Sequence, residues 1–231
     1  MTKIYCDTSD INTIKKCLKF YNTKGVTTNP SIMRANGVQN YKSHCLKILK
    51  ITKKNPLSIE VFADTPKEIL NQAEEIAKWS KNLYVKIPIV NTKGKLMTPI
   101  IKKLNNSNVK INVTAVFTFS QVKKIKKAIN KKIPTIISIF CGRIADNGID
   151  PEILVKKSVK MFKNFKNVQI LWASTREAYN YHQAKRAGCH IITMGPKFIE
   201  KLYAKRISLE KFSIDTVSKF YSDGKKSGFK I

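Results

Sequence analysis

The chain has 231 residues, of which 42% are hydrophobic, and its 44 basic and 15 acidic residues give a formal net charge of +29. This length fits one large domain or two small ones, and the hydrophobic content is sufficient for a sizeable core. No run of about 18 apolar residues is present, so the sequence predicts no membrane-spanning helix. The first ten residues lack the charged-then-apolar order of a signal peptide, and we therefore expect a cytoplasmic protein.

The five cysteines are widely scattered without a C-x-x-C pair, and the three histidines do not lie at ligand spacing from them. We therefore expect reduced thiols and no zinc site. The positive charge permits nucleic-acid binding. The lysines, however, are spread along almost every predicted helix, and a diffuse basic surface gives non-specific affinity without sequence readout. Solvated helix faces explain these lysines more simply.

Short apolar segments alternate with amphipathic segments along the whole chain. The predicted strands are residues 4–6, 24–27, 58–62, 83–90, 110–116, 134–140, 168–172 and 190–194. A helical segment follows each strand, and two of the helices begin with the capping boxes Thr65 to Glu68 and Thr118 to Gln121. A helical region is expected from Asn29 to Leu49, a helix from Thr175 to Gly188, and a last amphipathic helix over about residues 208–222.

Eight strand–helix units in about 200 residues have the period of a (β/α)₈ barrel. An open doubly wound sheet would require a Gly-rich phosphate loop after the first strand, and Asp7-Thr8-Ser9 is not one. No linker-like stretch interrupts the units. The sequence therefore predicts a single α/β domain over residues 1–231, a (β/α)₈ TIM barrel with an additional C-terminal helix.

The strand at residues 83–90 contains a single cation, Lys86, in an otherwise apolar run. Burying an ammonium group is unfavourable unless the group is paired or neutralised. A neutral amine is a nucleophile toward ketones and aldehydes, and the product is a Schiff base. The alternative is a lysine that extends its charge from the strand end to solvent.

The chemistry of a barrel lies where its strands end and the βα loops begin. The residues at those positions are almost all polar: Asp7, Asn29, Glu60, Lys86, Asn112, Thr114, Ser138, Phe140, Ser174 and Arg176. Carboxylates, a lysine, hydroxyls and arginines are the groups needed for Schiff-base chemistry on a phosphorylated substrate. Individual alternatives stay open, because Asp7 could cap the following helix, and Arg143 and Arg176 could form surface ion pairs.

Six blocks of the sequence resemble the transaldolase family. GVTTNPSI at residues 25–32 resembles the transaldolase signature, and LYVKIP resembles the strand that carries the family's Schiff-base lysine. SIEVFAD, INVTAVFTFSQ, ISIFCGRI and WASTRE resemble the remaining active-site blocks, in order along nearly the whole chain. The length is similar to that of the small transaldolases, a group that includes the fructose-6-phosphate aldolases.

The resemblance implies a role for each matching residue. Lys86 would form the Schiff base with C2 of a ketose phosphate, and Asp7 would take the proton of the C4 hydroxyl. Glu60 and Thr114 would hold and activate the water that transfers protons as the imine forms and hydrolyses. The substrate-binding residues would be Asn29, Asn112 and Ser138 at the dihydroxyacetone part, Arg143, Ser174 and Arg176 at the phosphate, and in addition Phe140.

Two positions favour a transaldolase. Transaldolases resemble this chain in glutamate at the position of Glu60 and phenylalanine at that of Phe140, where the aldolase branch tends to have glutamine and tyrosine. Cleavage of the ketose leaves the dihydroxyacetone unit on the lysine as an enamine. Without a phenolic hydroxyl to help protonate it, this enamine should persist until a sugar acceptor arrives. The resemblance thus implies transfer of a dihydroxyacetone unit from sedoheptulose 7-phosphate or fructose 6-phosphate to glyceraldehyde 3-phosphate or erythrose 4-phosphate, in the pentose phosphate pathway. The alternatives are a fructose-6-phosphate aldolase using free dihydroxyacetone and, less favoured, a basic nucleic-acid-binding barrel.

The resemblance also implies which partners the protein has. The lysine imine supplies the electrophile, so no metal and no organic cofactor is expected. The expected partners are sugar phosphates, without a membrane or a specific nucleic acid. The small family members resemble ring-shaped assemblies with exchanged C-terminal helices, so the last helix (about residues 208–222) is predicted to pack on a neighbouring subunit of a homo-oligomer, a pentamer or decamer.

Overall fold

A computed structural model describes residues 1–230; Ile231, the last residue of the predicted domain, lies outside them. Eight parallel strands pair in chain order, and the last strand pairs with the first to close a barrel. The strands are β1 (Lys3–Asp7), β2 (Val26–Thr27), β3 (Leu57–Glu60), β4 (Leu83–Pro88), β5 (Ile111–Val116), β6 (Thr135–Ile139), β7 (Val168–Trp172) and β8 (Ile191–Met194). This topology confirms the predicted (β/α)₈ barrel.

Helices cover the outside of the barrel. They are α1 (Ile11–Phe20), α2 (Pro30–Ala35), α3 (Tyr41–Thr52), α4 (Pro66–Ala77), α5 (Thr98–Asn106), α6 (Phe119–Ala128), α7 (Cys141–Asp146), α8 (Pro151–Met161), α9 (Asn180–Arg186), α10 (Pro196–Tyr203) and the additional C-terminal helix α11 (Leu209–Ser227). Among residues 1–230, none of these helices is both long and apolar enough to cross a membrane.

Alternation along the strands places the polar residues at one end of the barrel. A buried cluster contains Tyr5 of β1, Ile136 of β6 and Ile191 of β8. Because side chains of a strand alternate between its two faces, the residues two positions later point the same way. In β1 and β6 those residues are Asp7 and Ser138, so the apolar cluster supports a polar layer at the C-terminal strand ends.

The capping interactions determine where two helices begin. The carboxylate of Asp10 accepts a hydrogen bond of 2.7 Å from Thr13 N and caps α1, so the alternative role of Asp7 as this cap is wrong. The helix predicted from Thr175 begins only at Asn180. The Asn180 side-chain oxygen accepts hydrogen bonds from the backbone N–H of Arg176 (2.8 Å) and Glu177, which hold the preceding residues as a loop.

Three other helical segments differ from the prediction. The expected helical region over residues 29–49 is two helices, α2 and α3, separated by a turn that contains Gly37 in the left-handed region, with φ +68°. Helix α7 was not predicted. Helix α11 continues to Ser227, five residues beyond the predicted end at about 222.

Candidate active site

A cavity of about 380 Å³ opens at the C-terminal ends of the strands. It brings together eight of the eleven residues that the sequence singled out: Asp7, Asn29, Lys86, Ser138, Phe140, Arg143, Ser174 and Arg176. The other three, Glu60, Asn112 and Thr114, lie on β3 and β5, the two strands that flank the Lys86 strand. A larger groove of about 690 Å³, near Leu83 and Lys110 at the opposite end of the barrel, contains none of the eleven.

Lys86 is buried, with 6% of its surface exposed. Its Nζ lies 3.0 Å from Glu60 Oε2 and donates a hydrogen bond of 3.3 Å to the carbonyl oxygen of Thr28. The two charged residues are register partners on the paired strands β3 and β4, so the barrel itself holds them together. The structure therefore excludes the alternative in which Lys86 reaches solvent.

Asp7 occupies the same cavity and is tied to a neighbouring threonine. The hydroxyl of Thr27 donates a hydrogen bond of 2.7 Å to Asp7 Oδ1, and the Thr27 hydroxyl also contacts that of Thr193. Burial raises the pKa of the Asp7 carboxyl, while the Lys86 charge and the Thr27 hydrogen bond oppose part of this rise. Thr27 and Thr193 line the cavity but were not identified from the sequence, where their only signal is a hydroxyl at the end of an apolar strand.

A buried hydrogen-bond chain crosses three strands beside Lys86. Ser138 Oγ donates to Asn112 Oδ1 over 2.7 Å, and Asn112 Nδ2 donates to Ser58 Oγ over 3.0 Å. Asn112 is the register partner of Lys86, so this amide lies next to the lysine on the neighbouring strand. Ser58 was another residue that the sequence did not single out. These two hydrogen bonds fix the orientation of the Asn112 amide.

A β-bulge lies next to Thr114. The register of β5 against β6 shifts between Val113 and Val116, and Ala115 has a positive φ of 55°. Bulges of this kind bend a strand and redirect its side chains, and they are common beside active sites. The Thr114 hydroxyl is buried and has no hydrogen-bond partner within residues 1–230, so it is available to a small polar molecule.

Two arginines lie at the mouth of the cavity. The Arg143 guanidinium lies over the Phe140 ring, 5.7 Å from its centroid. Arg176 donates to the Asp146 carboxylate from Nε over 3.0 Å and from Nη2 over 2.6 Å. The pair keeps the pKa of Asp146 below its ordinary value, chiefly through this hydrogen bonding. Arg176 thus has the ion pair of the alternative interpretation and also lines the cavity.

Gly142 allows the two arginine-bearing segments to approach each other. A Cβ at this position would lie 1.6 Å from the carbonyl oxygen of Ser174, far inside van der Waals contact. Ser174 itself has a positive φ of 64°. A glycine at position 142 is therefore required for α7 to pack against the loop that carries Ser174 and Arg176.

The described part of the chain contains no group of three or more His, Cys, Asp or Glu residues placed to hold a metal ion.

The fold and the grouped side chains at the C-terminal strand ends define an enzyme built on a (β/α)₈ barrel.

Residues 4–230 match the family model described as Transaldolase/Fructose-6-phosphate aldolase. A probable transaldolase of Herpetosiphon aurantiacus is 34% identical over 218 residues, which are 92% of this chain and 94% of the relative. A probable transaldolase of Dehalococcoides mccartyi is 34% identical, over 87% of this chain and 89% of its own length. One of Streptococcus agalactiae is 32% identical, over 97% of this chain and 99% of its own length. The chain belongs to the transaldolase/fructose-6-phosphate aldolase family, as its motifs predicted.

Solved structures with the same architecture are much more distant in sequence. A structure described as native KDPGal is 10% identical, with a TM-score of 0.56, and covers 90% of this chain and 87% of its own. A 2,3-dimethylmalate lyase structure also has 10% identity and a TM-score of 0.56, over 99% of this chain and 84% of its own. At this identity the likeness shows the fold alone.

Proposed function

We propose that this protein is a cytoplasmic transaldolase of the pentose phosphate pathway. It transfers a dihydroxyacetone unit from sedoheptulose 7-phosphate or fructose 6-phosphate to glyceraldehyde 3-phosphate or erythrose 4-phosphate. The observation that carries the proposal is the buried amine of Lys86, 3.0 Å from the Glu60 carboxylate, in a cavity shared with Asp7.

Schiff-base formation begins at Lys86. The deprotonated Nζ attacks C2 of the ketose, and loss of water from the carbinolamine gives the imine. Glu60 is within 3.0 Å of this nitrogen and accepts its proton, directly or through a water. The buried Thr114 hydroxyl, which has no partner within residues 1–230, supplies a second contact for such a water.

Carbon–carbon cleavage requires a base at the C4 hydroxyl. Asp7 takes this proton, the C3–C4 bond breaks, and the bonding electrons move into the imine to give an enamine. The raised pKa of Asp7 suits this role, because a carboxylate of ordinary pKa is a weak base. The hydrogen bond from Thr27 fixes the orientation of the carboxylate.

Three polar side chains bind the dihydroxyacetone part. Asn29 Oδ1 accepts a hydrogen bond of 2.9 Å from Ile32 N at the start of α2, which leaves the Asn29 amide N–H groups for the substrate. Asn112 and Ser138 are held by their mutual hydrogen bond. Phe140 lines the cavity without a hydroxyl, so it donates no proton to the enamine, which persists until an acceptor aldehyde enters.

The phosphate of the substrate lies at the cavity mouth. Arg143, Ser174 and Arg176 line it there. A guanidinium donates two parallel hydrogen bonds to a phosphate, which fixes orientation as well as charge. Asp146 holds Arg176 toward this mouth through its carboxylate, although it also neutralises part of the arginine's charge.

The C-terminal helix mediates assembly into a homo-oligomer, a pentamer or decamer. Helix α11 has no buried residue in the chain. Its exposed apolar side chains include Leu209, Phe212, Val217 and Phe220, each more than half exposed. An exposed surface of this kind on a long amphipathic helix is typical of a subunit interface.

Borohydride trapping tests the chemistry directly. Incubation with fructose 6-phosphate and borohydride should leave a reduced dihydroxyacetone adduct on the peptide that contains Lys86. Lys86→Arg keeps the charge but forms no imine, so it should lose the adduct and at least about 1,000-fold in kcat, or about 4 kcal/mol of transition-state stabilisation. Lys110→Arg, at a partly exposed lysine that donates to the Lys81 carbonyl, is the matched control and should behave as the wild type. An adduct on another lysine, or none, would refute the proposal.

A further inference from the structure

Two buried thiols contact each other beside Asp7, and one of them belongs to Cys6, the residue that precedes Asp7 in β1. Cys6 Sγ in β1 donates a hydrogen bond to Cys17 Sγ in α1, with 3.1 Å between the sulfur atoms. The two residues are 0% and 1% exposed. Among residues 1–230, no hydrogen bond joins any other pair of cysteines; Cys189, for example, donates to backbone carbonyl oxygens. The contact singles out one dithiol among the five free cysteines.

The two sulfur atoms lie about 1 Å farther apart than in a disulfide. A disulfide bond is about 2.05 Å long, so the sulfur atoms need to approach by about 1 Å. The two residues are 11 positions apart, and the segment between them contains the β1–α1 loop. That loop and the first turns of α1 can share the movement.

The hydrogen bond also makes the two sulfur atoms chemically different. Donation from Cys6 lowers the pKa of Cys17, an effect that burial and the Glu200 carboxylate oppose and the neighbouring Lys16 ammonium supports. The same hydrogen bond raises the pKa of Cys6, which keeps its proton. Because Cys6 donates the hydrogen bond, Cys17 is the sulfur whose reactive thiolate form it stabilises, and we assign Cys17 as the nucleophile of the pair and Cys6 as the resolving thiol.

We propose that Cys6 and Cys17 are a redox modification site that forms a reversible intramolecular disulfide on reaction with a peroxide. The Cys17 thiolate attacks one oxygen of hydrogen peroxide, the O–O bond breaks, hydroxide leaves, and Cys17 becomes a sulfenic acid. The Cys6 sulfur then attacks Cys17 Sγ and expels hydroxide, which takes the Cys6 proton as water. The hydroxide from the first step takes the proton that Cys17 lost on ionisation, so the two thiols lose two electrons in total and one peroxide is reduced to two molecules of water.

The disulfide acts on the candidate active site through the backbone. Cys6 precedes Asp7, and alternation in β1 directs the two side chains to opposite faces, Cys6 toward α1 and Asp7 into the cavity. Drawing Cys6 toward α1 moves Asp7 away from its position relative to Lys86. A misplacement of 1 Å can reduce an enzyme's rate about 100-fold. Since the movement is shared between two elements, we expect a loss of about tenfold in kcat. This loss of activity rests on the proposed function, whereas formation of the disulfide does not depend on it.

The test begins with the bond itself. The purified full-length protein is treated with hydrogen peroxide, the remaining thiols are alkylated under denaturing conditions, and unreduced peptides are analysed by mass spectrometry. The expected product is a cross-linked peptide containing Cys6 and Cys17, with three alkylated cysteines and reversal by dithiothreitol. Five alkylated thiols, a sulfinic acid on Cys17 without a cross-link, or a cross-link involving another cysteine would overturn the proposal.

Activity with fructose 6-phosphate and erythrose 4-phosphate is then measured before and after oxidation. The wild type and Cys45→Ser, a matched change at another buried cysteine, should lose about tenfold in kcat and recover with dithiothreitol. Cys17→Ser and Cys6→Ala, two independent variants of the pair, should keep their activity on oxidation. A disulfide that forms without changing kcat would disprove the link to the site. If the reduced protein has no transferase activity at all, the proposed function fails while the cross-link result still decides on the disulfide.

Discussion

The Asp7 carboxyl has a raised pKa because burial outweighs the stabilisation that Lys86 and Thr27 give to the charge. The folded protein therefore holds this proton more tightly than the unfolded chain does. Between the ordinary carboxyl pKa of about 3.9 and the raised value, the folded state carries more protons, so stability falls as the pH rises through this window. Above this window the charged Asp7 destabilises the fold.

Asp7→Asn should consequently stabilise the protein at pH 7 while abolishing the base. The neutral amide keeps an oxygen that can accept the Thr27 hydrogen bond. We expect a higher unfolding temperature, by about 2–4 °C for each kcal/mol gained, together with a loss of at least about 100-fold in kcat. The gain in stability should disappear below about pH 4, where Asp7 is protonated in both states.

Asp10→Asn is the control for this prediction, since it makes the same chemical change at a carboxylate of opposite character. The pKa of Asp10 is lowered, chiefly by its hydrogen bonding at Thr13, and asparagine caps helices about as well as aspartate. Thermal unfolding at pH 7 should show no gain. A destabilised Asp7→Asn variant would contradict our interpretation of this carboxyl.

Glu60 and Phe140 are expected to favour the transferase over the aldolase. The double variant Glu60→Gln with Phe140→Tyr should release glyceraldehyde 3-phosphate from fructose 6-phosphate without an acceptor, because a phenol near the enamine can help to protonate it. We expect about a tenfold rise in the acceptor-independent fraction of turnover, measured in a coupled assay. An unchanged fraction would remove the argument from these two positions.

The residues of the cavity differ in how readily the sequence alone identifies them as site residues. Lys86 could be recognised because a cation in an apolar strand is unusual. Thr27, Thr193 and Ser58 could not, since threonine and serine often occur in strands as packing residues. Whether Asp7 caps α1 also depended on the three-dimensional position of Asp10, three residues further along.

At the scale of secondary-structure elements, the contact between α7 and the loop after β7 can be tested at one glycine. Gly142→Ala places a Cβ against the Ser174 carbonyl and should destabilise the protein by about 2–3 kcal/mol or more, with a higher KM for phosphorylated substrates. Gly224→Ala is the matched control in α11, where no neighbouring atom lies within 4 Å of the added Cβ. It should stabilise the helix by up to about 1 kcal/mol. Urea unfolding of both variants measures the difference; equal effects would refute the packing argument.

The elements were predicted best where a local signal sets both ends. Strand β7 (Val168–Trp172) has the predicted bounds, because its apolar run lies between polar turns. Strand β2 is only Val26–Thr27, two residues shorter than expected, since only these two residues pair with β1 and with β3. The bulge at Ala115 could not be predicted from the sequence, because alanine is not a residue type that indicates a positive φ.

At the scale of the whole molecule, the net charge of +29 and the exposed α11 set the expected behaviour in solution. Phe220 lies near the centre of the helix's apolar side, and Ser218, two residues earlier, points in nearly the opposite direction. Phe220→Glu should therefore dissociate the proposed oligomer, and Ser218→Glu, with the same change in charge, should leave it intact. Sedimentation velocity distinguishes the two outcomes. A wild type that sediments as a monomer would rule out the proposed assembly.

The central claim is tested most directly by the release of glyceraldehyde 3-phosphate from fructose 6-phosphate, followed with and without erythrose 4-phosphate. A transaldolase should turn over many times only when the acceptor is present, because the enamine on Lys86 is otherwise retained. Without the acceptor, the release should stop at about one equivalent per site. Continued turnover in the absence of erythrose 4-phosphate would make the protein an aldolase and contradict the transferase assignment.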